Sequence, residues 1–145
     1  MANNRFNDEN KTLSDFLKEV LVVCPSCGAK AVATTDHLNY KARLVCVHCS
    51  YNKDKNTKTK QDAHIKMPAH LFFDVELWLS HPFKNESFYA FNYRHLSYLE
   101  QYIQATLREH KMRDHFTLLE KLPKFYHESA NRGALLKIIQ KLKSK

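Results

Sequence analysis

Two Cys-x-x-Cys pairs, Cys24-Pro25-Ser26-Cys27 and Cys46-Val47-His48-Cys49, hold all four cysteines of this 145-residue chain, with eighteen residues between them. That spacing is the strongest constraint in the sequence, because it falls in the range of zinc sites. A Cys-x-x-Cys turn is tight enough for both sulfurs to face one ion. Two such knuckles supply the four thiolates of a closed tetrahedral site. Gly28 follows the first pair, where the turn asks for positive φ, and Ser50 stands at the matching place after the second, a poorer choice. Cys24, Cys27, Cys46 and Cys49 are therefore expected to hold one structural Zn²⁺. An iron site on the same ligands, a redox dithiol and free thiols compete with that reading. His48 lies inside the second knuckle; four thiolates already close the site, which makes it an exposed tip residue rather than a ligand.

The flanking pattern is that of a ribbon. Leu21-Val22-Val23, Ala31-Val32-Ala33 and Arg43-Leu44-Val45 are short apolar runs that predict strands, and Thr34–Asn39 is turn-forming because Asp36 and Asn39 bond their own backbone. Thr12 and Asp15 ahead of Phe16 predict a short helix over about 12–20. Residues 52–62 contain no apolar side chain and predict a lysine-rich loop, either solvated or in contact with phosphates. Phe73, Val75, Leu77 and Leu79 alternate with polar neighbours or Trp78, which predicts a strand over 73–80, a turn over 82–87 and a second strand at Phe88–Phe91. Asn92 is a helix N-cap, and Leu96, Leu99, Ile103 and Leu107 recur at helical spacing, so a helix is expected over about 93–110. Further helices are expected at about 114–122, stopped by Pro123, and after Ser129 or Asn131, where Leu135, Ile138, Ile139 and Leu142 share a face.

The expected fold class is α+β: a small antiparallel ribbon sheet with an accessory hairpin and a C-terminal helical segment. The divisions are 1–22, an N-terminal helix and lead-in strand; 23–52, the ribbon; 53–68, a lysine-rich linker; and 69–145, hairpin plus helices. The ribbon sheet is too small to bury a sufficient core alone, so metal binding, worth on the order of 10–16 kcal/mol in small zinc peptides, would stabilise it.

Net charge is +8. Residues 1–90 carry 12 Lys and Arg against 10 Asp and Glu, and residues 91–145 carry 11 against 5, so the excess lies mostly outside the knuckles. Such a balance suits nucleic acid or an acidic protein partner. Lys30, Lys41 and Arg43, with Tyr40 and Tyr51 nearby, interleave cations and aromatics in the way that grips phosphates and stacks bases. The competing reading is a solvated sheet face. Tyr98, Tyr102 and Trp78 are expected in the core. The polar start, MANNRFNDENK, has no apolar stretch of a signal peptide, and no run approaches the ~20 residues of a membrane span, so a cytoplasmic location without membrane attachment is expected. A reducing compartment favours metal-bound cysteines over disulfides. The chain contains no Gly-rich phosphate loop, nucleophile elbow or His-Glu-x-x-His helix, and no small-molecule substrate is evident, so no enzyme activity is expected.

Cys24-Pro25-Ser26-Cys27-Gly28 with Cys46-Val47-His48-Cys49 is similar to zinc ribbons of the transcription factor IIB type. With KARLVCVHCSY, LWL, FNYRHLSYLEQYIQATLRE, LPKF and NRGALLKIIQKLK, the chain resembles a group of uncharacterised bacterial proteins carrying such a ribbon. That resemblance covers most of the chain beyond the first ~20 residues and implies a metal-binding ribbon but no known activity. Members of the group often carry Cys-Cys-Gly where this chain has Phe83-Lys84-Asn85, which implies that a second thiol function is missing here. The function expected is a zinc-binding recognition module for nucleic acid or the transcription machinery. The alternative is a protein-interaction module in which zinc only stabilises the fold.

Overall fold

The computed structural model describes residues 5–7, 18–36, 38–58, 67–105, 107–109 and 123–145. Its elements run β1 (Arg5–Asn7), β2 (Glu19–Val23), β3 (Lys30–Asp36), β4 (Lys41–Val45), β5 (Asn52–Asn56), β6 (Leu79–Phe83), β7 (Glu86–Ala90), α1 (Tyr93–Gln104), β8 (Leu107–Glu109) and α2 (Arg132–Lys143). Strands β2-β3-β4-β5 form one antiparallel meander, β6 and β7 form a separate hairpin sheet, and β1 pairs with β8 in parallel. The class is α+β, as the sequence implies.

Alternation along the strands sorts side chains between two cores. Val20 and Val22 of β2 lie in one core with Ala31, Ala33 and Leu44, whereas Leu21 between them belongs to a second core with Leu79, Phe88, Leu135 and Ile139. Both faces of β2 are thus covered, which is why it reads as an unbroken apolar run. By β4 only one face is covered: Ala42 and Leu44 are buried while Lys41 and Arg43 are exposed. Helix α1 serves both cores, giving Tyr98 and Tyr102 to the first and Leu96, Leu99 and Ile103 to the second. Tyr98 and Tyr102 are buried as expected, and Trp78 is half-buried against the second core.

The outer edge of β2 does not stay open. Val23 N–H donates to Glu76 O (2.9 Å), Trp78 N–H donates to Leu21 O (3.0 Å), and Leu21 N–H donates to Phe91 O (2.7 Å). These bonds satisfy edge groups that would otherwise invite pairing with another chain. They also attach the hairpin to the ribbon while leaving it a sheet of its own. Asn92 caps α1, its Oδ1 accepting from His95 N–H at 2.8 Å, and its Nδ2 donates to Glu19 O at 2.7 Å, so one side chain fixes the helix start against β2. The two helices are antiparallel: Tyr93 Oη donates to Lys145 O, Glu100 accepts from Gln140 Nε2 and Lys143 Nζ, and Arg132 Nη2 donates to Ala105 O.

Several expectations are corrected. Residues 53–56, expected in a linker, belong to β5, so the ribbon sheet runs Glu19–Asn56 rather than 23–52. No β5 side chain is buried, so its composition is that of a loop. Backbone pairing with β4 holds it, aided by Arg43 to Asp54 and Asn52 (3.3 Å each) and Lys55 Nζ to Phe72 O (2.8 Å). The strand expected over 73–80 begins only at Leu79; Ala69–Phe72 is a 3₁₀ turn, and Asp74 at φ 52° breaks the extended run. The first helix of the hairpin half ends at Gln104, where Ala105 turns extended, and 107–109 are strand. Of the helix expected over 12–20, Glu19 and Val20 are in β2 and 12–17 lie outside the described residues, as does the helix expected at 114–122. Asn131 precedes α2 but makes no cap bond; its side chain accepts from Lys84 Nζ (3.0 Å) and donates to Phe125 O (3.2 Å) instead.

Candidate metal centre

A meander puts alternate turns at the same end of its sheet. The first knuckle joins β2 to β3 and the second joins β4 to β5, so both fall at one end and the turn at 38–40 falls at the other. The pairs Val23↔Lys30 and Val45↔Asn52 frame two loops of equal length. The loops share one backbone bond: Cys24 N–H donates to Ala29 O (2.8 Å), and Cys46 N–H donates to Tyr51 O (2.9 Å). They also share one strained position, Gly28 at φ 76° and Ser50 at φ 65°. Only glycine holds that region at no steric cost. A Cβ at Gly28 would meet nothing within 4 Å, so the cost of substitution there is conformational. Ser50→Gly is expected to stabilise the metal-loaded protein by about 0.5–1 kcal/mol and Gly28→Ala to destabilise it by about 1 kcal/mol. Denaturant midpoints measured at fixed metal check both; equal midpoints for the two variants would contradict the matched-knuckle geometry.

The four sulfurs lie within 4.8 Å of one another. Cys24 Sγ is 3.6 Å from Cys49 Sγ, and Cys27 Sγ is 3.6 Å from Cys46 Sγ. A regular tetrahedron of sulfurs around an ion at about 2.3 Å has edges of about 3.8 Å, so the cage fits a single metal ion. It does not fit sulfurs already bonded at ~2.05 Å. Cys24 and Cys46 are buried members of the first core, while Cys27 and Cys49 are exposed, so the centre couples the core to the surface. Ser26 N–H points at Cys24 Sγ (3.4 Å).

The site's electrostatics ask for a cation. Burial pushes the Cys24 thiol up, but the amides of Cys27 and Ser26 and the thiols of Cys49 and Cys27 outweigh it and bring it down to about 7. At Cys27 the Ala29 amide pulls down, yet burial and the neighbouring sulfurs of Cys49, Cys46 and Cys24 push the thiol up to about 12. One thiolate forms readily and its charge then opposes the next, which a metal ion would relieve. His48 is exposed at the knuckle tip, outside the thiol cage.

The structure does not gather Lys30, Tyr40, Lys41, Arg43 and Tyr51 on one surface. Lys30 and Tyr51 lie at the metal end. Lys30 Nζ donates to Tyr93 Oη (3.2 Å) and sits 5.1 Å from that ring, and Tyr51 packs against the first core. Tyr40 and Lys41 lie at the opposite end, and Arg43, between the two groups, is engaged with Asp54 and Asn52. β3 and β4 separate these residues by the length of the sheet, a distance that a one-dimensional pattern hides. Around Tyr40 a shallow cleft of about 160 Å³ is lined by Asn39, Lys41, Asp54, Lys55 and Asn56, and Lys58 Nζ lies 5.4 Å from the Tyr40 ring. Lys55 of β5 and Lys58 thus join Tyr40 and Lys41; the lysine-rich composition of 52–62 is their only signal in the sequence.

No helix among the described residues is long and apolar enough to cross a membrane. No family model, curated protein or solved structure matches the chain.

Proposed function

We propose that the chain is a nucleic-acid recognition module built on a zinc ribbon of the transcription factor IIB type, with one Zn²⁺ held by Cys24, Cys27, Cys46 and Cys49. Four thiolates leave no open coordination position, so the ion's role is structural and the module is not an enzyme. The observation that carries the reading is the cationic end of the sheet. Lys41 and Lys55 line the Tyr40 cleft and Lys58 lies over its ring, while exposed Arg43 and Lys53 continue the positive charge along β4 and β5; between Leu38 and Lys58 the one carboxylate is Asp54. Asp36, just before them, accepts from the turn amides of Leu38 and Asn39 (3.0 and 3.3 Å). Cations flanking an aromatic and a cleft suit a phosphate backbone with an unstacked base.

Fluorescence anisotropy with mixed-sequence single-stranded and duplex probes tests the reading. Affinity is expected to fall steeply between about 50 and about 200 mM salt. The triple change Lys41→Glu, Lys53→Glu and Lys58→Glu is expected to flatten the log–log slope on duplex by about 0.9 for each phosphate no longer neutralised. Absence of binding to every probe at low salt rejects it. A second reading, docking to a protein, draws on Val47, which is 92% exposed at the tip of the second knuckle. A partner that covers this side chain removes apolar surface from water. Capture of a partner that survives nuclease treatment and is abolished by Val47→Asp would favour it.

A further inference from the structure

We propose that the four thiols are a peroxide-sensitive modification site whose disulfides close across the knuckles, Cys24 to Cys49 and Cys27 to Cys46, and not within either Cys-x-x-Cys turn. Both crossing pairs stand at 3.6 Å, so an approach of about 1.5 Å brings each to disulfide length. Each crossing pair joins an exposed cysteine to a buried one, as each Cys-x-x-Cys turn also does, so the 3.6 Å approach is what selects the crossing pairs. An oxidant in solution reaches the exposed member, and the buried one waits behind it, shielded. Redox-sensing cysteines are accessible and poised beside a resolving thiol, and this arrangement supplies both parts twice. The proposal stands on the thiol geometry and is independent of the nucleic-acid reading.

The oxidant is hydrogen peroxide. A metal ion would hold all four sulfurs as thiolates. Exposed Cys49 or Cys27 then attacks one peroxide oxygen; the O–O bond breaks, the sulfur is oxidised to sulfenic acid, and the departing hydroxide takes a proton to become water. The thiolate of the buried partner then attacks the sulfenic sulfur. The S–S bond forms, the S–O bond breaks, and a second hydroxide leaves and is protonated. Per disulfide, two thiolates, one peroxide and two protons give one disulfide and two waters. The sulfurs lose the negative charge that binds a cation, so a bound metal ion leaves. Because the new bonds link one knuckle to the other, they hold the same end of the sheet that the ion held.

The test treats the full-length, metal-loaded protein with about two equivalents of hydrogen peroxide, one per disulfide. Metal release is followed with a chromogenic chelator and the sheet by far-ultraviolet circular dichroism. Pairing is mapped by non-reducing trypsin digestion and partial reduction, since trypsin separates residues 19–30 from 44–53. Expected are stoichiometric metal release, no free thiols, the two peptides covalently joined through 24–49 and 27–46, and a sheet signal retained. Disulfides within 24–27 and 46–49, sulfinic acids on Cys27 and Cys49 with unpaired buried thiols, or thiols inert to peroxide would each overturn the proposal. If the starting protein holds no metal, the pairing map still decides this proposal, while the zinc assignment alone fails.

Discussion

Chelating the metal from the reduced protein is expected to unfold the sheet of Glu19–Asn56. The reason lies in how little else holds that sheet at the knuckle end. β5 buries no side chain, and the β3 and β4 residues facing the first core are mostly alanines, with Ala31, Ala33 and Ala42 beside Leu44. Two of the core's members are the metal-facing thiols Cys24 and Cys46 themselves. A four-thiolate zinc site contributes on the order of 10–16 kcal/mol in small zinc peptides, comparable to or larger than the ~5–15 kcal/mol stability of a whole domain. The amides of Cys24, Gly28 and Cys46, bonded across their turns at 2.8–2.9 Å, report the change directly by hydrogen exchange. They should be protected with metal and exchange freely after chelation, whereas those of α2, packed in the second core, should lose protection less. Cys46→Ser should behave like the chelated protein. Knuckle amides that stay protected after chelation would contradict this account.

Acidification is expected to cost about 3 kcal/mol through one residue, His95. It is 1% exposed at the first turn of α1, stacked on Phe91 with ring centroids 5.1 Å apart, and its Nδ1 accepts the Phe91 N–H at 3.0 Å. That bond requires a lone pair on Nδ1, so the folded ring is neutral, with its proton assigned to Nε2. Burial lowers its pKa from 6.5 to about 4. The folded value lies below the unfolded one, so the contribution is complete above pH 6.5. It is lost as pH falls from there towards 4, because the unfolded chain takes up a proton that the folded chain refuses. The shift corresponds to about 3 kcal/mol. His95→Gln keeps an acceptor without a titration, so the stability difference between wild type and variant should narrow by about 3 kcal/mol from about pH 7 to about pH 4. Acid release of metal affects both proteins and cancels in the difference. A gap that does not move with pH would show that His95 titrates alike in both states.

Local chemistry explains which parts of the fold and the site are legible in the sequence. The knuckles are readable because cysteine spacing and the residue at positive φ are properties of a few consecutive positions. Asn92 is readable for the same reason. β5 is not, since its strand state comes from backbone pairing with β4, and Asn-Lys-Asp-Lys-Asn carries no apolar alternation to announce it. The alternation over 73–80 misleads because Asp74 adopts φ 52° and Phe72 is buried from a 3₁₀ turn, while Leu77 contributes only an isolated bridge to Val22. Of the basic and aromatic candidates, Lys30 is drawn to Tyr93 and Tyr51 to the core by contacts with residues distant in sequence. Tertiary placement decides which charges share a surface, and spacing along one chain does not encode it.

X-ray absorption at the metal edge of the purified, reduced protein tests the central claim most directly. The account predicts one Zn²⁺ per chain with four sulfur neighbours at about 2.3 Å and no nitrogen or oxygen ligand. Folded, reduced protein with no bound metal, or a coordination sphere containing histidine or water, would contradict it.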